Sequence, residues 1–202
     1  MGACFGCLKK GDAEETVEVS SNQNPVASVT CKIGLKGPSV KISLDSASNI
    51  YSVSGNGTAI GSCSLDCDTA YWEVVVGPNP AGVKIGIKRH NLKKQSAVPD
   101  GPLDGQTDGE SPSWVLQDDS LQEGDVVGVH WDQTDLPMLS FTKNGVLLDR
   151  ESVNRVRPAI DIVPAVSVQD GSSCQVIFDG NSFKQKPSGS RFKMIVCATN
   201  LI

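Results

Sequence analysis

The chain has 202 residues, 39% of them hydrophobic and 20% charged, which is enough apolar material for one packed core and too much for a wholly disordered chain. Its formal net charge is −5, and the largest basic cluster is Lys88, Arg89 and His90 with Lys93 and Lys94. An acidic chain with no larger basic block lacks the cation density that recognition of a nucleic-acid backbone needs, and no apolar run approaches the roughly 20 residues of a spanning helix. The 20 Gly and 11 Pro point to many turns.

Residues 1–24 read as a tether. Met1 to Leu8 is small and apolar, and Lys9-Lys10 follows. Asp12, Glu14, Glu15 and Glu18 then make a polar, acidic run with no periodicity.

From residue 25 the pattern changes to short strands between turn residues, and 25–202 reads as one domain. Val40, Ile42 and Leu44 alternate on one face, as do Val83, Ile85 and Ile87. Segments 71–76, 126–131, 138–142, 164–168 and 174–178 are rich in β-branched and aromatic residues. Asn144-Gly145 lies between two apolar runs, the signal of a type I′ hairpin. No stretch carries a sustained helical stripe, so the expected fold is an all-β sandwich. Residues 91–113 form one long Pro- and Gly-containing loop, expected to be exposed and mobile.

Chemistry-bearing residues are sparse. The two histidines, His90 and His130, sit in no Ser-His-Asp, Cys–His or zinc-binding pattern. His90 reads as part of a solvated loop edge and His130 as a surface or hydrogen-bonded strand residue. The seven cysteines (Cys4, Cys7, Cys31, Cys63, Cys67, Cys174 and Cys197) are odd in number and irregular in spacing. They imply a reducing compartment with mostly free thiols, Cys63 and Cys67 packing as small hydrophobes. No metal site, cofactor or catalytic residue is expected.

The order of motifs carries a resemblance. Tyr71-Trp-Glu-Val, Ile85-Gly-Ile87, Gly124-Asp-Val-Val-Gly, Phe141-Thr-Lys-Asn-Gly145, Pro164-Ala-Val-Ser167 and Val176-Ile-Phe-Asp-Gly180 resemble, in sequence, the strands and turns of the SPRY domain over residues 40–180. Asp179 stands where that family usually has Gly, and Pro137 where Gly is common. The resemblance implies a bent antiparallel β-sandwich of concanavalin-like jelly-roll architecture. It also implies a non-catalytic adaptor that binds a partner protein or extended peptide through loops at one edge. By position those loops are 78–82, 91–113 and 169–171, with Ala81, Gly82, Gln169, Asp170 and Gly171 as candidate contacts. Trp114, at the end of the long loop, is assigned to the core. A carbohydrate-binding, lectin-like module is the alternative on this architecture. The domain is expected to be a monomer.

The first eight residues suggest acylation. Gly2 after the initiator Met is the required myristate acceptor, although Gly6 replaces the usual Ser or Thr. Cys4 and Cys7 are candidate palmitate sites, the second anchor that a single acyl chain needs for stable membrane binding. The expected location is the cytoplasmic face of a membrane, or the cytoplasm without the lipid.

Overall fold

The structure is a computed structural model that describes residues 28–185, 187 and 193–198. In chain order the strands are β1 (Ser28–Thr30), β2 (Ile33–Lys36), β3 (Val40–Asp45), β4 (Ile50–Gly55) and β5 (Gly57–Gly61). They continue with β6 (Thr69–Val76), β7 (Val83–Arg89), β8 (Ser113–Val115), β9 (Val126–Asp132) and β10 (Met138–Lys143). The last are β11 (Val146–Leu147), β12 (Val153–Asn154), β13 (Ile162–Val168), β14 (Ser173–Ile177) and β15 (Val196–Ala198). Among the described residues the helical content is three single turns at Pro80–Gly82, Asp149–Glu151 and Gly180–Ser182.

These strands make the expected antiparallel β-sandwich. The larger sheet runs β11-β10-β9-β6-β14-β4-β3, with β12 also on β10, and the smaller runs β2-β5-β13-β7-β8. β1 pairs with β15. Alternation along each strand decides what enters the core. Trp72 and Val74 of β6, Val127, Val129 and Trp131 of β9, and Leu139 and Phe141 of β10 are all fully buried. Register brings them together, with Trp131 opposite both Leu139 and Ala70, and Val129 opposite both Phe141 and Trp72. Trp114 on β8 joins the same core. Asn144 and Gly145 both have positive φ, at 51° and 83°, as the I′ hairpin between β10 and β11 requires.

The outer face of the smaller sheet is covered by the long loop, contrary to its expected mobility. Val98 and Leu103 are buried, forming a second apolar cluster with Ile60, Val115, Val163 and Ala165. The loop backbone is fixed too: Leu103 N–H donates to Ser167 Oγ at 3.0 Å, and Gly101 C=O accepts from Thr58 Oγ1 at 2.8 Å. His90 is likewise buried rather than solvated, its Nε2 3.2 Å from the carbonyl of Gln95.

The outer face of the larger sheet is partly covered by the chain that follows β14. Glu73, fully buried, accepts from the backbone N–H of Lys184 at 2.6 Å and of Gln185 at 2.8 Å. Phe183 packs edge-on to Tyr71. Ile195 then enters the core, and its carbonyl accepts from Cys31 N–H at 3.1 Å. Among the cysteines, Cys63 is held in a disulfide and Cys67 is exposed, so neither packs as a free, small hydrophobe. Cys31 and Cys174 are free and buried.

Candidate functional site

The strands place turns at two ends of the sandwich. β7 leaves one end at Val83 and reaches the other at Arg89, where it meets Ile162 of β13. The end that holds Val83 and Val168 also gathers the turns 37–39, 55–57, 77–82, 124–125 and 169–172. All five candidate contact residues lie there.

The structure joins them into one ridge. Gly82 C=O accepts from Gln169 N–H at 3.1 Å, and Asn79 Nδ2 donates to Asp170 C=O at 2.7 Å. Asp170 N–H in turn donates to Asn56 Oδ1 at 3.1 Å. Three turns far apart in sequence are thereby tied by side-chain amides. Asp170 and Gly171 both have positive φ, at 55° and 78°, so the chain turns sharply there as it passes from β13 in the smaller sheet to β14 in the larger. Gly82 is required where it stands: a Cβ there would lie 2.4 Å from the carbonyl oxygen of Gln169. Gly171 faces open space, with nothing within 4 Å of a Cβ.

A groove lies on each side of the ridge. One, of about 390 Å³, is bordered by Ser39, Asn56, Asp100, Pro102, Gln169 and Asp170. The other, of about 430 Å³, opens where β8 parts from β7. It has an apolar floor of Val83, Ile85, Leu116 and Leu121 between Ala81 and the pair Asp118 and Asp119. Asp118 is held in place by an ion pair with Lys143 at 3.0 Å. The hydrogen bonds from Ser120, with Lys143 beside it, hold its carboxyl below the usual range. Neither groove is lined by an aromatic ring, the platform on which many sugar sites are built.

Of the sequence candidates, Ala81, Gly82, Gln169, Asp170 and Gly171 are brought together, whereas Gly2, Cys4 and Cys7 lie outside the described residues. Of the long loop, 100–102 reaches this end, and much of the rest lies on the sheet. Asn56, Asn79, Asp118 and Asp119 were not singled out by sequence reading. Asn56-Gly57 and Asn79-Pro80 look like ordinary turn punctuation, and nothing local announces that their amides reach across to Asp170. Among the described residues no three His, Cys, Asp or Glu side chains are grouped to hold a metal ion.

Comparison with known proteins bears on the whole arrangement. No curated protein sequence matches. Among solved structures the chain is similar to the NEUZ (NHR) domain of Neuralized from Drosophila melanogaster, at 9% identity and a TM-score of 0.53, covering 78% of this chain and 96% of that one. It is also similar to the TRIM65 PSpry domain, at 12% identity and a TM-score of 0.47, over 75% of this chain and 93% of that one. The first of these supports the sandwich alone. A family profile described as the SPRY domain matches residues 69–181, from the first residue of β6 to the turn that follows β14. That span is more than half the chain and holds β9, β10 and β13 with their motifs, as well as two of the three turns of the ridge; the protein belongs to the SPRY domain family.

Proposed function

We propose that this protein is a non-catalytic adaptor that grips an extended segment of a partner protein at the ridge. Ala81, Gly82, Gln169, Asp170 and Gly171 make the contacts, with the flanking grooves taking side chains. SPRY domains are commonly protein-interaction modules. The observation that carries the reading is the tie from Asn56 through Asp170 to Asn79. It fixes three loops in one shape before any ligand arrives, and preorganisation spares a binder the entropy of ordering its loops. Acylation of Gly2, Cys4 and Cys7 would also deliver the domain to a cytoplasmic leaflet, the two cysteines supplying the second anchor that one acyl chain on Gly2 needs.

A displayed peptide library, with a glycan array beside it, tests the binding part. Peptides selected on the wild type should bind Ala81→Trp at least about tenfold more weakly, a loss of roughly 1.4 kcal/mol, with an unchanged melting temperature because Ala81 is exposed. Recovery of glycans and no peptide would overturn the reading. Membrane fractionation of wild type, Gly2→Ala and Cys4→Ser/Cys7→Ser tests the anchor. A wholly soluble wild type with an unmodified N-terminus would remove it.

A further inference from the structure

We infer that the free edge of β3 is a self-association surface, on which a second copy of this chain adds its own β3 antiparallel. Among the described residues β3 ends the larger sheet, and its one strand partner is β4. Asn56 N–H donates to Ser39 C=O at 3.2 Å just before the β3–β4 ladder begins. Alternation from that bond makes Lys41 and Ser43 the residues that bond to β4 and turns the N–H and C=O of Val40, Ile42 and Leu44 outward. Val40 agrees with this phase, because its N–H donates to Gly37 C=O and its C=O accepts from Lys36 Nζ at 2.6 Å. The amides of Ile42 and Leu44 find no partner among the described residues beyond this edge. Leu44 is 45% exposed, and Lys41, Ser43 and Asp45 are exposed beside it.

The occupant follows from the sequence of the strand. A two-fold axis through Ser43, perpendicular to the sheet, sets Ile42 opposite Leu44 of the other copy and Lys41 opposite its Asp45, each twice. Ile42 and Leu44 then exchange both backbone bonds. Lys41 and Asp45 fall at the non-hydrogen-bonded positions, where facing residues come nearest, about 4.5 Å between Cα atoms. A lone lysine on an edge strand ordinarily keeps a second strand away. In this register each lysine meets a carboxylate and each apolar side chain an apolar one. Shifting the axis by one residue either way sets Lys41 against Ser43 or Asp45 against Ser43 and leaves the charges unmatched. The strand is thus complementary to itself in a single register, and the two larger sheets would join into one.

Charge exchange tests this. By sedimentation velocity across a range of concentrations, the wild type should show a reversible dimer. Lys41→Asp alone and Asp45→Lys alone should each weaken it about tenfold, since like charges then face each other twice. Mixing the two variants should restore association as a heterodimer that weakens as salt is raised. Asp45 also accepts from Ala47 N–H and Ser48 Oγ in the adjoining turn, so melting curves accompany each variant. Leu44→Pro is a second probe, because it removes an outward N–H and leaves the bonds to β4 intact. A wild type that stays monomeric at every concentration overturns the inference, and so does a dimer insensitive to both charge variants and to Leu44→Pro.

Discussion

Tyr71 donates its hydroxyl hydrogen to Glu73 Oε1 at 2.8 Å, two residues away on the outer face of β6. The carboxylate is fully buried, yet it is satisfied, because the backbone N–H groups of Lys184 and Gln185 supply two more donors. One acidic side chain therefore fastens the segment after β14 onto the sheet. Replacing Glu73 with Ala takes the acceptor from both amides and from the buried Tyr71 hydroxyl, and the hydroxyl alone accounts for roughly 1–3 kcal/mol. Glu73→Ala should lower the urea midpoint and strip hydrogen-exchange protection from Lys184 and Gln185 first, while Glu73→Gln, which keeps one acceptor oxygen, should lose less.

The same pair predicts an alkaline limb of the stability curve. Burial, and after it the Glu73 charge, push the Tyr71 hydroxyl above its ordinary value. An unfolded tyrosine ionises near about pH 10, so above that pH the unfolded chain releases a proton that the folded one keeps. The stabilising effect is complete below about pH 10 and declines as pH rises past it, by up to about 1.4 kcal/mol per pH unit. Burial also pushes the Cys174 thiol up to about 12, which adds a fall of the same sign. Comparison with Tyr71→Phe isolates the tyrosine: the variant should show the shallower slope in denaturant titrations taken above about pH 10. Parallel slopes would show that Tyr71 ionises equally in both states.

Trp131 and Phe141 project from neighbouring strands into the centre of the sandwich with no exposure. Truncation to Ala should cost roughly 3–5 kcal/mol each, the range for an aromatic in a core. Trp131 lies opposite Leu139 and Phe141 opposite Val129, so the two sit on adjoining rungs of one ladder, and the double variant should lose less than the sum of the singles. Chemical denaturation of the three proteins measures both numbers.

Leu103→Ala should cost about 2–3 kcal/mol, the lower part of the range for a buried leucine, because Leu103 anchors the long loop on the smaller sheet. Deleting 100–110 should also lower the melting temperature, reversing what a mobile loop would show. A deletion variant as stable as the wild type would mean that the sheet does not need this cover.

Two glycines of the ridge should behave oppositely in kind. Gly82→Ala drives a methyl into the carbonyl of Gln169 and should part the two loops. Gly171→Ala meets no atom and bears only the left-handed backbone penalty, about 1–2 kcal/mol. Heteronuclear NMR should show shifts at Asn56, Asn79 and Asp170 for Gly82→Ala, and shifts confined to the turn for Gly171→Ala.

The sandwich was legible where a strand alternates. Val83, Ile85 and Ile87, or Val127, Val129 and Trp131, announce their face in the sequence, because only one phase buries them. The short strands β1, β2 and β5 give no such signal, since three to five residues hold too few repeats of a two-residue period. The long loop was misread for a related reason. Val98 and Leu103 are two isolated apolar residues among Pro, Gly, Ser and Asp, and what buries them is Ser167 and Ile60, remote in sequence. The ridge was half legible: family likeness located the turns at 81–82 and 169–171, while the amides of Asn56 and Asn79 that bind them together act across the fold.

Cys31 follows β1 beside Gly61 and Ser62, at the Arg89 end of the sandwich. The turn at Asp170 is at the opposite pole, separated by the length of β13, about 20 Å at 3.3 Å per residue. The chain thus enters the domain at the far side from the ridge. Were the proposed N-terminal anchor to hold this pole, the ridge would face away from the anchoring surface, and a protein bound there as proposed would be held clear of it.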